Sequence, residues 1–200
     1  MLKTTLLTFT LLVASLIQAQ TQDSLEVIKS LNRIYWNDWY RLEWNDFQAE
    51  AEEDKSIAAL SSIALPYSLS SDGEGTLVVT INVCFVKDES WSIEEEQNNV
   101  LLQHEQLHFD IAELHRRKVV KALLKANMTK DNYKETVENI MARVWKKQYR
   151  EMQNQYDIET NYSQVFKAQI QWNKFIEQEL RNYEEYTFTE VNLSLINFED

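Results

Sequence analysis

Glycine, proline and cysteine are rare in this sequence. Its 200 residues include two Gly, one Pro and one Cys. So few turn-forming residues argue against a turn-rich β-sandwich or barrel and favour long helices. The single cysteine excludes an internal disulfide framework and a cysteine-rich zinc site. Cys84 lies in the apolar run of residues 77–86, so we expect it to be a small buried core residue.

Positive charge is also scarce. The chain has 20 Lys and Arg against 32 Asp and Glu, which gives a formal net charge of −12. A protein of this charge has little with which to neutralise phosphates, so the composition argues against a nucleic-acid binder. The high content of apolar and aromatic residues, 44% and 12%, argues against a disordered chain.

Residues 1–19 have the pattern of a secretory signal peptide. Lys3 provides the positive charge, residues 6–17 are mainly apolar, and Ala19 is a suitable last residue before cleavage. The apolar run is short for a membrane span of about 20 residues. We therefore predict an exported protein, periplasmic or extracellular, with one domain over residues 20–200 and no membrane span after cleavage.

The remaining patterns predict an α+β fold. Residues 56–70 and 77–86 are expected to form antiparallel strands around a turn at residues 70–75, which holds both glycines. A weak alternation over residues 186–198 predicts an edge strand. Three helices are expected over residues 93–126, 132–153 and 162–183, the first capped by Ser92 and Glu95. The predicted architecture is a small antiparallel sheet followed by packed helices.

The three histidines of the chain all lie between residues 104 and 115. His104, Glu105 and His108 form an HExxH motif on the first and longest predicted helix. Residues four apart on a helix differ by about 40° and about 6 Å along the axis, so both imidazoles can reach one Zn²⁺. Glu105 lies beside them, where it can take a proton from a zinc-bound water. The competing interpretation is a pair of core histidines bonded to backbone or carboxylate partners.

A zinc site of this kind needs a third protein ligand. His115 follows His104 by about 16 Å along a continuous helix, so we interpret it as a surface or supporting residue rather than a ligand. The third ligand is expected from a later helix or loop. The acidic candidates there include Glu138, Glu151, Asp157 and Glu159.

Several segments carry a resemblance to a known family. They are Trp44-Asn45-Asp46-Phe47, Ser90-Trp91, Leu101 to Ala112, Tyr156-Asp157-Ile158-Glu159-Thr160 and Gln169-Ile170-Gln171-Trp172. With these segments the chain resembles, over about residues 36–180, a bacterial domain of unknown function described as a predicted secreted zinc-dependent protease. The resemblance implies a zincin-like fold with the HExxH motif on a long central helix, zinc as the cofactor and a peptide or protein substrate.

One position departs from the family pattern. Where the family has a histidine, two residues after Thr160, this chain has Tyr162. Three alternatives follow for the third ligand: Tyr162 binds zinc through its phenolate, Asp157 binds it as a carboxylate, or tight zinc binding has been lost. Glu159 is a weaker candidate. Asp110 belongs to the family block but points away from His108, so we expect it to be a structural hydrogen-bonding group.

The leading hypothesis from the sequence is a secreted zinc-dependent metallohydrolase, a peptidase in which His104 and His108 hold the metal and Glu105 is the general base. By analogy with zinc peptidases, residues 77–86 could line an extended substrate. The alternative is a non-catalytic envelope protein that acts by binding on a zincin scaffold. A third interpretation is a structural helical domain. Metal content and proteolytic activity discriminate between them.

Overall fold

The computed structural model describes residues 31–51 and 57–196. The described residues from Tyr35 onward belong to the second of the two units into which the chain divides. The predicted signal peptide lies outside the described residues, and its cleavage stays a prediction. No helix in the described part of the chain combines the length and apolar character needed to cross a membrane.

Seven short strands come first along the described chain, the long helices follow, and one further strand comes after the helices. The strands are β1 (Arg33–Tyr35), β2 (Ala59–Leu60), β3 (Ile63–Ala64), β4 (Tyr67–Ser71), β5 (Thr76–Ile81), β6 (Cys84–Val86), β7 (Trp91–Ser92) and β8 (Glu190–Ser194). The pairs β2–β7 and β3–β6 are antiparallel, and β4, β5 and β8 form an antiparallel sheet in that order. This arrangement, followed by packed helices, confirms the α+β prediction.

The hairpin of β4 and β5 confirms the predicted turn. Asp72 Oδ1 accepts hydrogen bonds from the backbone N–H groups of Glu74, Gly75 and Thr76 at 2.8–3.0 Å. Gly73 has φ of 74°, which a residue with a side chain rarely adopts. The predicted edge strand near the C-terminus is also confirmed, because β8 pairs with β5 at the edge of this sheet.

The prediction of one strand over residues 77–86 is wrong, since this segment forms β5 and β6 in two different ladders. The break lies opposite Pro66, which has no N–H to donate to a ladder. Asn82 N donates instead to the Pro66 carbonyl at 3.0 Å. Cys84 is fully buried in β6, as expected. Residues 56–70 are likewise divided, into β2, β3 and β4.

The helices are α1 (Asn99–Lys125), α2 (Tyr133–Met141), a π-helical segment (Ala142–Tyr149), α3 (Arg150–Thr160) and α4 (Phe166–Asn182). The predicted start of the first helix at Ile93 is wrong. Ser92 lies in β7, and Asn98 caps the helix by accepting from the N–H groups of Val100 and Leu101 at 3.0 Å.

The second and third helices also differ from the predictions. The helical path that begins at Tyr133 continues through the π-helical segment to Thr160, past the predicted end at Gln153. The next helix begins at Phe166 rather than Tyr162, because residues 161–163 all have positive φ and cannot continue a right-handed helix. Asp157 therefore lies within a helix, not beside one.

Two buried clusters hold these elements together. Leu77, Val79 and Ile81 of β5 pack in one cluster with Val119, Val120 and Leu123 of α1. The second cluster joins α1, α3 and α4 and contains Leu107, Ile111, Leu114, Tyr156, Trp172 and Ile176. The apolar contacts of the second cluster place α3 and α4 against the half of α1 that carries the histidine motif.

Buried charges on α1 fasten the C-terminal part of the chain. Glu113 accepts hydrogen bonds from Arg116 Nε and Nη2 at 2.7 and 2.8 Å and from Arg117 Nε at 2.7 Å. Further guanidinium N–H groups donate to carbonyls: Arg116 reaches Phe188 and Thr187 at 3.0 Å, and Arg117 reaches Leu180 at 2.7 Å. We call Glu113, Arg116 and Arg117 the arginine cluster.

Candidate metal centre

Three side-chain atoms converge between α1 and α3. His104 Nε2 and His108 Nε2 lie 3.1 Å apart, and Asp157 Oδ1 lies 3.2 Å from the first and 3.0 Å from the second. These residues form a group that could hold a metal ion. We call His104, His108 and Asp157 the metal centre.

The local structure explains why these three residues meet. His104 and His108 lie one turn apart on α1, so they share a face of the helix. Helix α3 runs antiparallel to α1, with Gln153 beside His108 and Asp157 beside both histidines. Buried Tyr156 packs between these elements, its ring 4.5 Å from that of His104 and 4.9 Å from that of His108.

Gln153 orients His108. Its Oε1 accepts a hydrogen bond from His108 Nδ1, and its Nε2 donates to the His108 backbone carbonyl at 2.9 Å. The second bond fixes the orientation of the amide, so its oxygen faces the ring. The proton of neutral His108 is thereby held on Nδ1, and the lone pair on Nε2 is directed towards the centre.

Gln169 orients His104 in the same way. Its Oε1 accepts from His104 Nδ1 at 3.2 Å and from the Tyr156 hydroxyl at 2.8 Å. Its Nε2 donates to Asn173 Oδ1 at 2.8 Å, which fixes the amide. Both histidines therefore present an unprotonated Nε2 to the same point as the Asp157 carboxylate. When both rings are neutral, the centre consists of three acceptors without a donor between them.

The electrostatics of the centre favour a positive charge there. Burial lowers the pKa of His108, but the hydrogen bond that the ring donates to Asp157 and the charges of Glu105 and Asp157 outweigh it and raise that pKa to about 9. Burial raises the pKa of Asp157, while its contacts with His104 and His108 lower it well below its ordinary range. A proton on the imidazoles or a bound cation satisfies the same three acceptors.

The distances fit a small ion. A tetrahedral ion with ligand bonds of 2.0–2.1 Å separates its ligand atoms by about 3.3–3.4 Å. The edges of the triangle observed here are 3.0–3.2 Å. Two imidazoles, each with its Nδ1 hydrogen-bonded, and one carboxylate are a donor set that proteins use for divalent zinc and iron.

Glu105 lies at the same place but is not part of the triangle. Its side chain is buried, and Ser61 Oγ donates to its Oε2 at 2.7 Å. Among the described hydrogen bonds, none involves the other carboxylate oxygen, Oε1. Glu105 therefore has one oxygen held by Ser61 and one oxygen open to accept a proton from a neighbouring molecule.

A cavity of about 330 Å³ gives access to the centre. Its lining includes His104, Glu105, His108 and Asp157, and one wall is formed by residues 57–61. Residues 77–86, which were expected to line an extended substrate, do not border this cavity. The wall belongs instead to β2, which pairs only with β7 in the described part of the chain.

Tyr162 lies at the rim of the same cavity. It is the middle residue of the left-handed turn at residues 161–163, with φ of 51°, and its side chain is half exposed. Within the described residues its hydroxyl makes no hydrogen bond to the metal centre. The structure thus brings Asp157 into contact with both histidines and leaves Tyr162 beside them.

The other sequence candidates lie elsewhere. Glu159 accepts from Trp172 Nε1 at 2.8 Å, and Glu138 and Glu151 are exposed. The expectation of a surface position for His115 is wrong: it is buried, its Nδ1 donates to the Ile111 carbonyl at 2.9 Å, and burial lowers its pKa to about 4. These residues stay outside the metal centre.

The structural interpretation of Asp110 is confirmed. Trp36 Nε1 donates to its Oδ1 at 2.8 Å, and Gln106 Nε2 donates to the same oxygen at 3.0 Å. Burial raises the pKa of Asp110. The residue ties the start of the second unit to α1 on a face away from His108.

Gln153 and Gln169 were not predicted to support the site. Each occupies a polar position within an apolar stripe: Gln153 lies between Tyr149 and Tyr156, and Gln169 precedes Trp172 and Ile176 by three and seven residues. A lone polar residue on the buried face of a helix indicates a specific hydrogen-bond partner. That signal could have identified both.

The comparisons with known proteins point to a family but not to an activity. A family described as "Bacterial protein of unknown function (DUF922)" has a model that matches residues 95–164. The matched segment contains the whole metal centre and Glu105. No curated protein and no solved structure has a significant match to the chain. Residues 95–164 therefore match a bacterial family of unknown function, and the protease activity stays a prediction.

Proposed function

We propose that this chain is an exported zinc-dependent hydrolase that cleaves peptide bonds. The observation that carries the proposal is the convergence of His104 Nε2, His108 Nε2 and Asp157 Oδ1 within 3.0–3.2 Å of one another beside Glu105. Hydrolytic zinc sites have three protein ligands and keep a further position open. The cavity beside the centre provides room for that position.

Zinc is preferred here over iron because of Glu105. Two histidines and one carboxylate also suit Fe²⁺ in oxygenases. A carboxylate directly after the first histidine of a helical HExxH pair is instead the arrangement of a hydrolytic general base. A zincin-like fold is part of the proposal, supported by the motif on a long helix with a strand edge beside it.

Glu105 is proposed to move the proton. Ser61 holds Oε2, which leaves Oε1 to take a proton from the attacking water and later to return it to the leaving amine. Gln153 and Gln169 hold His108 and His104 in the orientation that binds the metal. When bound, zinc supplies a Lewis acid that polarises the scissile carbonyl and makes water more acidic.

The substrate is proposed to be an extended peptide. Residues 57–61 line the cavity, and β2 within them has one edge without a strand partner in the described part of the chain. A peptide can pair with such an edge through its backbone and place a carbonyl near the centre.

Export is proposed from the pattern of residues 1–19. Mass spectrometry of the N-terminus of the secreted protein tests it.

The central experiment combines metal content with activity. Elemental mass spectrometry of the purified protein is expected to find about one zinc per chain, and His104→Ala is expected to lose it. Glu105→Gln is expected to keep the zinc and to lose turnover of an unfolded protein substrate by at least roughly a hundredfold. Glu95→Gln, an exposed glutamate before α1, is the matched control and is expected to keep both properties.

Other results would select another function. Stoichiometric zinc without turnover of any unfolded protein would favour the non-catalytic binding protein. Full turnover in Glu105→Gln would refute the assigned role of Glu105. Absence of zinc even after reconstitution would contradict the proposed hydrolase and favour the non-catalytic binding protein, and His104→Ala would then only lower the free energy of unfolding.

A further inference from the structure

A second and larger cavity lies along the C-terminal half of α1. It has a volume of about 1050 Å³ and is bordered by α1, by the helical path from α2 to α3 and by Tyr183. The residues of the metal centre do not line it. A cavity of this size suits a molecule much larger than a single inorganic ion.

The charge of this cavity is opposite to that of the chain. Lys118, Lys121 and Lys125 line it from one face of α1, and Arg143 lines it from the π-helical segment. Glu151 is its one carboxylate residue, whereas the whole chain has 32 acidic residues against 20 basic ones. We call it the cationic cavity. Four cations gathered in an acidic protein create a local site for an anion.

These cations are not held in close ion pairs, although the charge of Glu179 acts on Lys118 from outside the cavity lining. In the described residues, none of the four makes an ion pair within 4.0 Å. The ammonium groups of Lys118 and Lys121 lie instead over the Tyr183 ring, 5.8 and 4.5 Å from its centroid. A cation–π contact restrains an ammonium group while leaving N–H donors available. Burial lowers the pKa of Lys118, which reflects its partial removal from water.

Apolar side chains separate the cations. Ala122, Val144 and Met152 contribute to the lining, and the two alanines of α1 that face the cavity, Ala122 and Ala126, leave it open. Buried His115 also borders it, and its Nε2 has no hydrogen-bond partner among the described residues. The cavity thus offers positive charge, apolar surface and one acceptor that requires a donor.

We propose that the cationic cavity binds an amphipathic anion. Its phosphate or carboxylate head would contact Lys118, Lys121 and Arg143, and its apolar body would lie along Ala122 and Met152. A hydroxyl group of the ligand would satisfy His115. This proposal does not rest on the proposed hydrolysis, because the cavity and the metal centre have no lining residue in common.

Isothermal titration tests the proposal with three probes. Decyl phosphate, kept below its critical micelle concentration, is expected to bind with about one molecule per chain. Decyltrimethylammonium, with the same chain length and the opposite charge, is expected to bind at least tenfold more weakly, as is inorganic phosphate. Equal binding of the two amphiphiles, or no binding of either, would overturn the proposal.

Variants locate the binding. The double variant Lys121→Gln/Arg143→Gln is expected to weaken decyl phosphate binding at least tenfold. Its control, Lys146→Gln/Lys147→Gln, removes the same charge from the π-helical segment outside the cavity and is expected to bind as the unaltered protein does. Ala122→Phe fills the apolar part and is expected to weaken decyl phosphate more than inorganic phosphate. Equal affinities in all variants would refute the site.

Two further measurements separate the possible sources of the signal. His104→Ala is expected to keep decyl phosphate binding, whereas loss of binding in that variant would assign the phosphate to the metal centre and refute the cavity. Co-sedimentation with phosphatidylglycerol vesicles that is lost in Lys121→Gln/Arg143→Gln would identify a lipid in a bilayer as the anion. Binding of monomeric decyl phosphate without co-sedimentation would identify a free amphiphile.

Discussion

Helix α1 carries two polar clusters that differ in their hydrogen-bond balance. In the arginine cluster, which is buried, the Glu113 carboxylate accepts from Arg116 and Arg117, and carbonyls accept from further N–H groups of both arginines. In the metal centre, His104 is buried, whereas His108 and Asp157 are partly buried and face the cavity. When both imidazoles are neutral, two Nε2 atoms and a carboxylate oxygen face one another there with no donor between them, and such an arrangement costs free energy.

The difference separates a structural cluster from a ligand site. A buried cluster whose donors and acceptors balance is complete without any further component, and its role is to join α1 to the C-terminal segment. A buried cluster made of acceptors alone is incomplete, and a proton or a metal cation completes it. The hydrogen-bond balance therefore assigns a role where residue type alone does not.

The largest effect is expected from unbalancing the arginine cluster. Glu113→Gln leaves two buried guanidinium groups without a carboxylate, so it should lower the free energy of unfolding by about 3–5 kcal/mol. Urea unfolding measures this loss. The folded variant should still bind zinc, because Glu113 does not contact the metal centre; loss of zinc at full stability would contradict the comparison.

The control is an ion pair of the same spacing at the surface. Glu177 accepts from Arg181 at 2.7 Å, with both side chains more than half exposed. Glu177→Gln should change the free energy of unfolding by less than about 0.5 kcal/mol, because water replaces the lost contact. A similar loss in both variants would show that burial does not decide the effect.

His115 should make the free energy of unfolding depend on pH, because its ring is buried with an unbonded Nε2. Its pKa is about 4 in the folded chain, against 6.5 for an ordinary histidine, because burial disfavours the charged ring. The unfolded chain therefore binds a proton first as the pH falls from 6.5 to 4. Over that range this residue should lower the free energy of unfolding by up to about 3 kcal/mol.

The measurement for His115 compares urea unfolding of the metal-free protein with that of His115→Leu between pH 7 and pH 4. The difference between the two curves should change in favour of the variant as the pH falls, because Leu binds no proton. Removal of metal beforehand excludes any contribution from zinc release. Parallel curves would contradict the lowered pKa.

Removing one acceptor of the metal centre should lower zinc affinity. Asp157→Asn keeps the shape of the side chain but not its charge, and the expected loss of zinc affinity is roughly a hundredfold, about 2.8 kcal/mol. Competition with a fluorescent chelator measures it. Glu159→Gln is the matched control and should keep the affinity; Tyr162→Phe should keep it too, and a loss there would assign the third ligand to Tyr162.

A smaller effect is expected from the glutamines behind the histidines. Gln153→Ala frees the His108 ring without removing a ligand, so zinc affinity should fall by roughly 10- to 100-fold. Gln155→Ala, at an exposed position on the same helix, is the control and should leave it unchanged. An unchanged affinity in Gln153→Ala would show that the ring orientation does not depend on this bond.

The parts of the centre that sequence predicts well are the local ones. His104, Glu105 and His108 occupy adjacent turns of one helix, so their spacing alone places them on related faces. The position of Asp157 is different, because it depends on a helix that begins at Tyr133 and passes through the π-helical segment. That segment has wider turns than an α-helix and changes which residues of α3 face α1. A pattern with a 3.6-residue period cannot show this change.

The helix and strand boundaries were also predicted wrongly because a local sequence pattern does not report contacts with distant residues. Ser92 and Glu95 satisfy the capping pattern, but Ser92 is held in β7 by pairing with Ala59, far away in the sequence. Residues 77–86 have uniform β propensity, yet Pro66 on the opposite side divides them between two ladders. In both cases a distant partner outweighs the local preference.

Helix α3 borders both cavities, and this gives the protein a means of communication. Gln153, Asn154 and Asp157 face the metal centre, whereas Glu151, Met152 and Gln155 border the cationic cavity. If a ligand in one cavity were to shift α3, the lining of the other cavity would shift with it. Thermodynamic linkage requires such coupling to be reciprocal: any factor by which an anion changes the affinity for zinc is the factor by which zinc changes the affinity for the anion. A single helix thus makes heterotropic allostery available to a small domain.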